Sequence, residues 1–181
     1  YFQEQINQIR MSFLDVTKRL GQRNIMNEEN RAIFYGSWIY LATQIGLTIT
    51  DWQTPAILSD RLGLSRMKVA EILTFLCKAG LVRKKNDDFE PMETKIRLGR
   101  NSKHILKHHL NWRLKAIESL EQEDVNDMHY SSVVSLSAQD VLKIKDRLLE
   151  QLKENLDTVS KSKEERLYAY NIDFFNLEKK T

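Results

Sequence analysis

Between residues 54 and 80 the chain carries three breaks whose spacing leaves little choice of local structure. Thr54-Pro55 sets a capping hydroxyl ahead of a proline at the first helical position, which starts a helix over Ala56–Leu62. Gly63-Leu64-Ser65 then reverses the chain and caps a second helix over about 66–79, which Gly80 stops. Val69, Ile72, Leu73 and Leu76 form that helix's apolar stripe, while Arg66, Lys68, Glu71 and Lys78 fall largely off it. After Gly80 the period changes. Leu81–Lys85 is predicted as a strand, Asn86-Asp87-Asp88 as a turn and Thr94–Leu98 as the returning strand, with Pro91 making the hairpin short or irregular.

Helix, tight turn, helix and β-hairpin in that order is the sequence logic of a winged helix-turn-helix. The second helix of such a unit fits a DNA major groove, and its first turn and outer face make the contacts. Here those positions hold Ser65, Arg66, Lys68, Glu71 and Lys78. Arg66 is suited to fork onto guanine and Lys68 to reach phosphate. The N–H groups at the Ser65 end of the helix suit a phosphate oxygen. The wing contributes Arg83, Lys84, Lys85, Lys95 and Arg97.

The charge distribution supports a polyanionic partner more than the net charge of +3 does. Residues 1–60 carry 5 Lys+Arg and 6 Asp+Glu, residues 61–115 carry 14 and 5, and residues 116–181 carry 9 and 14. The middle third is therefore strongly basic and the last third acidic. The competing explanation is a lysine-rich solvated face on a winged helix used only as scaffold.

The flanking segments read as helices and strands around this unit. Tyr1-Phe2-Gln3 resembles the end of a tag-protease site, so residues 1–28 are expected to hold a helix (about 5–20), a linker and a tag remnant. A largely apolar helix is expected over about 29–46, and a long one over about 102–121. Residues 129–136 and 166–177 alternate as strands, separated by a helix over about 138–158. The expected fold class is α+β: a winged helix at 29–100, then a long helix and a C-terminal β-α-β element at 101–181, serving dimerisation or sensing. Only 6 glycines and 2 prolines in 181 residues argue against a β-sandwich or barrel. The single Cys77 excludes an intrachain disulfide framework and points to a reducing, cytoplasmic setting, and no apolar run is long enough for a membrane span.

Other candidate sites are weaker. His104, His108 and His109 include a pair at i,i+4, but with one distant cysteine and no acid nearby in sequence they read as surface histidines on a basic face, so no metal is expected. Cys77 reads as a small core residue. Phe34, Tyr35, Trp38 and Trp52 could line a ligand pocket, although aromatics at helical spacing more often form core. No nucleotide-loop, dinucleotide, serine-hydrolase or zinc-protease motif occurs, which disfavours an enzyme, and no cofactor is expected.

Four segments carry a resemblance: Phe34-Tyr35-Gly36-Ser37-Trp38-Ile39-Tyr40, Asn101 through His109, Tyr130 through Ser137, and Leu167 through Leu177. Together they resemble the large paralogous family of Bdellovibrio and Fibrobacter proteins that ends in a domain of unknown function, over about residues 25–178. The resemblance implies a transcriptional regulator with no catalytic residues to carry over. Family members often begin with a separate N-terminal helix-turn-helix opening on an Asn-Pro-x-Tyr-Ser-like segment, which this sequence lacks, so the chain is expected to be a C-terminal fragment. The expectation is a cytoplasmic, homodimeric regulator that binds double-stranded DNA through helix 65–79 and the wing. Its alternative is a protein-interaction or effector-sensing module whose DNA reading lies in the absent half.

Overall fold

The computed structural model describes residues 26–92 and 102–179, with positions 2, 4–6, 8 and 9 near the start. The predicted helix over 5–20, the returning strand at 94–98, and Lys95 and Arg97 lie outside the described residues or largely so. Helices α1 (Glu28–Phe34) and α2 (Trp38–Gly46) come first, then a 3-10 turn at Thr50–Trp52. Helices α3 (Pro55–Leu62) and α4 (Arg66–Lys78) are followed by strands β1 (Val82–Lys85) and β2 (Asp88–Pro91), then by α5 (Ile105–Gln122) and α6 (Ala138–Lys161). The architecture is mixed, helical with one small antiparallel sheet.

The helix expected over 29–46 is two helices. Tyr35 and Gly36 form a turn in which Gly36 N–H donates to the Ile33 carbonyl at 3.0 Å. A Cβ at Gly36 would sit 2.7 Å from the Ala32 carbonyl oxygen, so only glycine permits this break. Farther on, the capping residues act as the sequence predicts. Thr54 Oγ1 accepts from Ile57 N–H at 3.3 Å, with Pro55 at the first turn of α3. Gly63 takes the left-handed conformation at φ 62°, and Ser65 Oγ accepts from Lys68 N–H at 3.2 Å. Ser59, buried, ties the turn shut: its hydroxyl donates to the Leu64 carbonyl at 2.6 Å, and its own carbonyl accepts Leu64 N–H at 3.0 Å.

The α4 stripe is the centre of the core. Val69, Ile72, Leu73 and Leu76 are buried together with Phe34, Leu47, Leu58, Leu81 and Val82. Tyr40 meets Phe75 edge-on at 4.9 Å between ring centres. The hairpin returns sooner than predicted. Its turn is only Asn86-Asp87, with Asn86 at φ 57°, so Lys85 pairs with Asp88 and Val82 with Pro91. Pro91 therefore ends β2, where its missing N–H disturbs no further rung. Phe89 N–H donates to the Gln53 carbonyl at 2.8 Å, and Met92 N–H to the Leu81 carbonyl at 2.9 Å, fixing the hairpin to the helices.

The expected C-terminal β-α-β element is not present. Residues 129–136 and 165–177 form no strand, and among the described residues no backbone–backbone hydrogen bond reaches either stretch. Alternating apolar residues make a strand possible, but a strand needs a partner to fill its ladder. The last stretch instead lies over α5 and α6 through side chains. Asn171 Nδ2 donates to the Trp112 carbonyl at 3.3 Å, Asn155 Nδ2 to the Tyr170 hydroxyl at 2.9 Å, and Arg113 pairs with Asp173.

Leu58 and Ile72 are fully buried, so Leu58→Ala or Ile72→Ala is expected to lower the unfolding free energy by about 2–5 kcal/mol in urea titrations. Met67→Ala, on the exposed side of α4, should change it by no more than about 0.5 kcal/mol.

Candidate nucleic-acid interface

Helical geometry divides α4 into a buried side and an outward ridge. With four stripe residues turned inward, the residues about 180° away are Met67, Glu71, Thr74 and Lys78, with Ala70 beside them. Met67, Ala70, Glu71, Thr74, Phe75 and Lys78 line a shallow open depression of about 520 Å³. Arg66 is exposed in the first turn, and Ser65 is exposed at the cap. Lys68 lies on the flank, where its ammonium donates to Glu71 at 2.9 Å. That hydrogen bond, with the glutamate's charge, raises the Lys68 pKa.

The hairpin splits its cations between two faces, because neighbouring strand residues point opposite ways. Arg83 and Lys85 share a face with Glu90, which takes both: Arg83 at 2.8 Å and Lys85 at 2.8 Å. The hydrogen bonds from Lys85 and then Arg83 hold the Glu90 carboxyl below the usual carboxylate range. Lys84 turns to the other face, with Phe89 opposite it across the ladder, and its charge reaches Cys77. Burial pushes the half-buried Cys77 thiol up, with Lys84 opposing the shift.

The predicted cations thus lie at the first turn of α4, at its last turn and on both faces of the hairpin, and some of them are neutralised. Arg66, Lys78 and Lys84 make no ion pair among the described residues, whereas Lys68, Arg83 and Lys85 each face a glutamate. Residues 61–92 carry 7 Lys+Arg and 4 Asp+Glu, a net +3. The rest of the basic excess lies in residues 93–115, part of it on α5 and its approach.

The histidine segment, by contrast, is not a surface feature. His104 is buried, stacks on Tyr35 at 6.2 Å, and its Nε2 lies 2.8 Å from Glu28 Oε1. Lys103 reaches the same carboxylate oxygen at 2.9 Å, and these two hydrogen bonds lower the Glu28 pKa. His108 meets Tyr35 edge-on at 5.7 Å, and Asn111 Nδ2 donates to the Tyr35 carbonyl at 3.0 Å. Lys115 sits over the Trp38 ring at 4.3 Å. The acid partner missing from the local sequence comes from 76 residues away. These contacts dock α5 on the first two helices. Among the described residues no group of three His, Cys, Asp or Glu is placed to hold a metal ion. Phe34 and Tyr35 are core, and Trp52 packs against that core.

Burial pushes the Tyr35 phenol up to about 12 from its ordinary value of 10.0. The folded state thus holds this proton longer than the unfolded chain. The associated stability is complete below pH 10 and disappears as the pH rises towards 12. Urea unfolding measured from pH 9 to pH 12 is expected to show that decline, and Tyr35→Phe to flatten it.

Residues 17–177 match the family model described as a domain of unknown function, DUF4423. No curated protein and no solved structure matches the chain. Among the described residues no helix is long and apolar enough to cross a membrane.

Proposed function

The chain belongs to the DUF4423 family, a domain of unknown function, and from that premise we propose that it is a DNA-binding module of a cytoplasmic transcriptional regulator. α3, the Gly63–Ser65 turn, α4 and the hairpin act as a winged helix-turn-helix. The single observation that carries this is the exposed Arg66 in the first turn of α4, immediately after the Ser65 cap and without an ion pair among the described residues. α4 enters the major groove by this end. Arg66 meets a guanine edge or a phosphate, and the first N–H groups of the helix meet phosphate oxygen. Ala70 and Thr74 on the ridge suit thymine methyls, and Lys78 and Lys84 add unpaired positive charge. A homodimer suits the two half-sites of an operator.

Glu71 and Glu90 moderate the electrostatics. Both stand beside cations that would otherwise meet phosphate, so non-specific affinity and its salt dependence are both kept low. A second reading is favoured by Met67, which is 74% exposed beside Ala70 and Thr74. This less polar side of the ridge also suits a protein helix, in which case the unit is an interaction module.

Fluorescence anisotropy on labelled duplex DNA separates the two. Arg66→Ala with Lys84→Ala is expected to weaken duplex binding at least tenfold and to reduce the salt slope by about 2. Glu90→Gln, which frees Arg83 and Lys85, is expected to strengthen binding and steepen the slope. Absence of duplex binding at low salt, or affinity indifferent to all three substitutions, would favour the interaction module.

A further inference from the structure

α5 carries an apolar stripe that stays largely exposed, with Arg113 in the same arc held by Asp173 of the last stretch. Leu106, Leu110, Leu114, Ile117 and Leu120 are between 49% and 67% exposed, although the opposite side of the helix is docked on Tyr35 and Trp38. Successive steps of 4, 4, 3 and 3 residues keep all five within one face. Eighteen of the twenty-two large apolar side chains exposed among the described residues lie between Leu106 and Leu177.

We propose that this stripe is the dimer interface, occupied by α5 of a second copy running antiparallel about a two-fold axis at Arg113–Leu114. Two features select a second copy over another protein. The first is the spacing. Reversal about that axis sets Leu110 against the partner's Ile117, and brings Leu106 and Leu114 to within about one residue of the partner's Leu120 and the partner's Leu114. The stripe is thus complementary to its own reversed copy, as an isologous interface requires. The second is charge. Residues 103–115 contain four Lys+Arg and no Asp or Glu, whereas residues 116–127 contain five Asp+Glu and no Lys or Arg. An antiparallel pair lays each basic half along the other's acidic half, while a parallel pair would oppose like charges. Lys107 and Glu121 are exposed on the same flank of the stripe, and neither makes an ion pair among the described residues. The two-fold axis brings each Lys107 beside the partner's Glu121, twice per dimer.

The proposal rests on the two-fold assembly suggested above but not on duplex binding. Sedimentation velocity on the whole chain at micromolar concentration tests it. The wild type is expected to be a dimer, and Leu114→Asp, at the axis, a folded monomer with an unchanged circular dichroism spectrum. Lys107→Glu and Glu121→Lys are each expected to weaken association about tenfold, and the double reversal Lys107→Glu/Glu121→Lys to restore it. The Arg66→Ala/Lys84→Ala variant is expected to remain dimeric, so that failure of DNA contact and failure of the interface are read separately. A monomeric wild type, a dimer that survives Leu114→Asp, or a double reversal that stays dissociated would overturn the proposal. The first of these would assign the stripe to a different protein, and the last would exclude the antiparallel register.

Discussion

The burial of one side of α4 is the contact on which the helix–hairpin unit depends. Val69, Ile72, Leu73 and Leu76 meet α2 and α3 on one side and the start of β1 on the other. Because those four side chains fix the rotation of the helix, they also decide which residues face outward. Arg66 and the Met67–Lys78 ridge are exposed because the stripe is not. The Ser59–Leu64 bonds and the Gly63 conformation then set where the first turn of α4 begins. The hairpin hangs from the same core through Leu81 and Val82. Its distance from Arg66 is therefore set by packing rather than by a loose loop.

Around that rigid centre the electrostatics are more restrained than a count of lysines suggests. The Glu90 carboxylate lies directly across the ladder from Arg83 and within reach of Lys85. Glu71 does the same for Lys68 one helical turn away. Exposed pairs of this kind contribute little to folding, commonly below about 1 kcal/mol. They matter more for binding, since an incoming phosphate must compete with a carboxylate already in place. What remains open to a polyanion is Arg66, Lys78 and Lys84, a smaller set placed by α4 and the first strand.

Much of this unit is legible in the sequence because its signals are local. Thr54-Pro55, Gly63, Ser65 and the α4 stripe each act within a few residues, and each appears in the structure where its chemistry puts it. The misjudged features depend on distant partners. His104 reads as a surface residue until Glu28 and Tyr35 are seen beside it. Residues 129–136 and 166–177 have strand-like alternation, yet alternation supplies only a strand's faces and not the neighbour that completes its hydrogen bonds. Glu90 neutralises Arg83 because the two-residue turn at Asn86-Asp87 sets that register, which three consecutive polar residues do not distinguish from a longer turn. The split at Gly36 was hidden because the apolar spacing continues across it, and only the close approach of the Ala32 carbonyl reveals why the helix stops.

The exposed end of α4 is the proposed meeting point of protein and nucleic acid. Amide chemical-shift mapping of the whole chain titrated with a short duplex reads this position directly. The account predicts shifts concentrated at Ser65–Lys68 and along Arg83–Lys85, with the buried Val69 and Ile72 amides little affected. Shifts confined to α5 and α6, or none at a salt concentration low enough to favour any cationic contact, would contradict it.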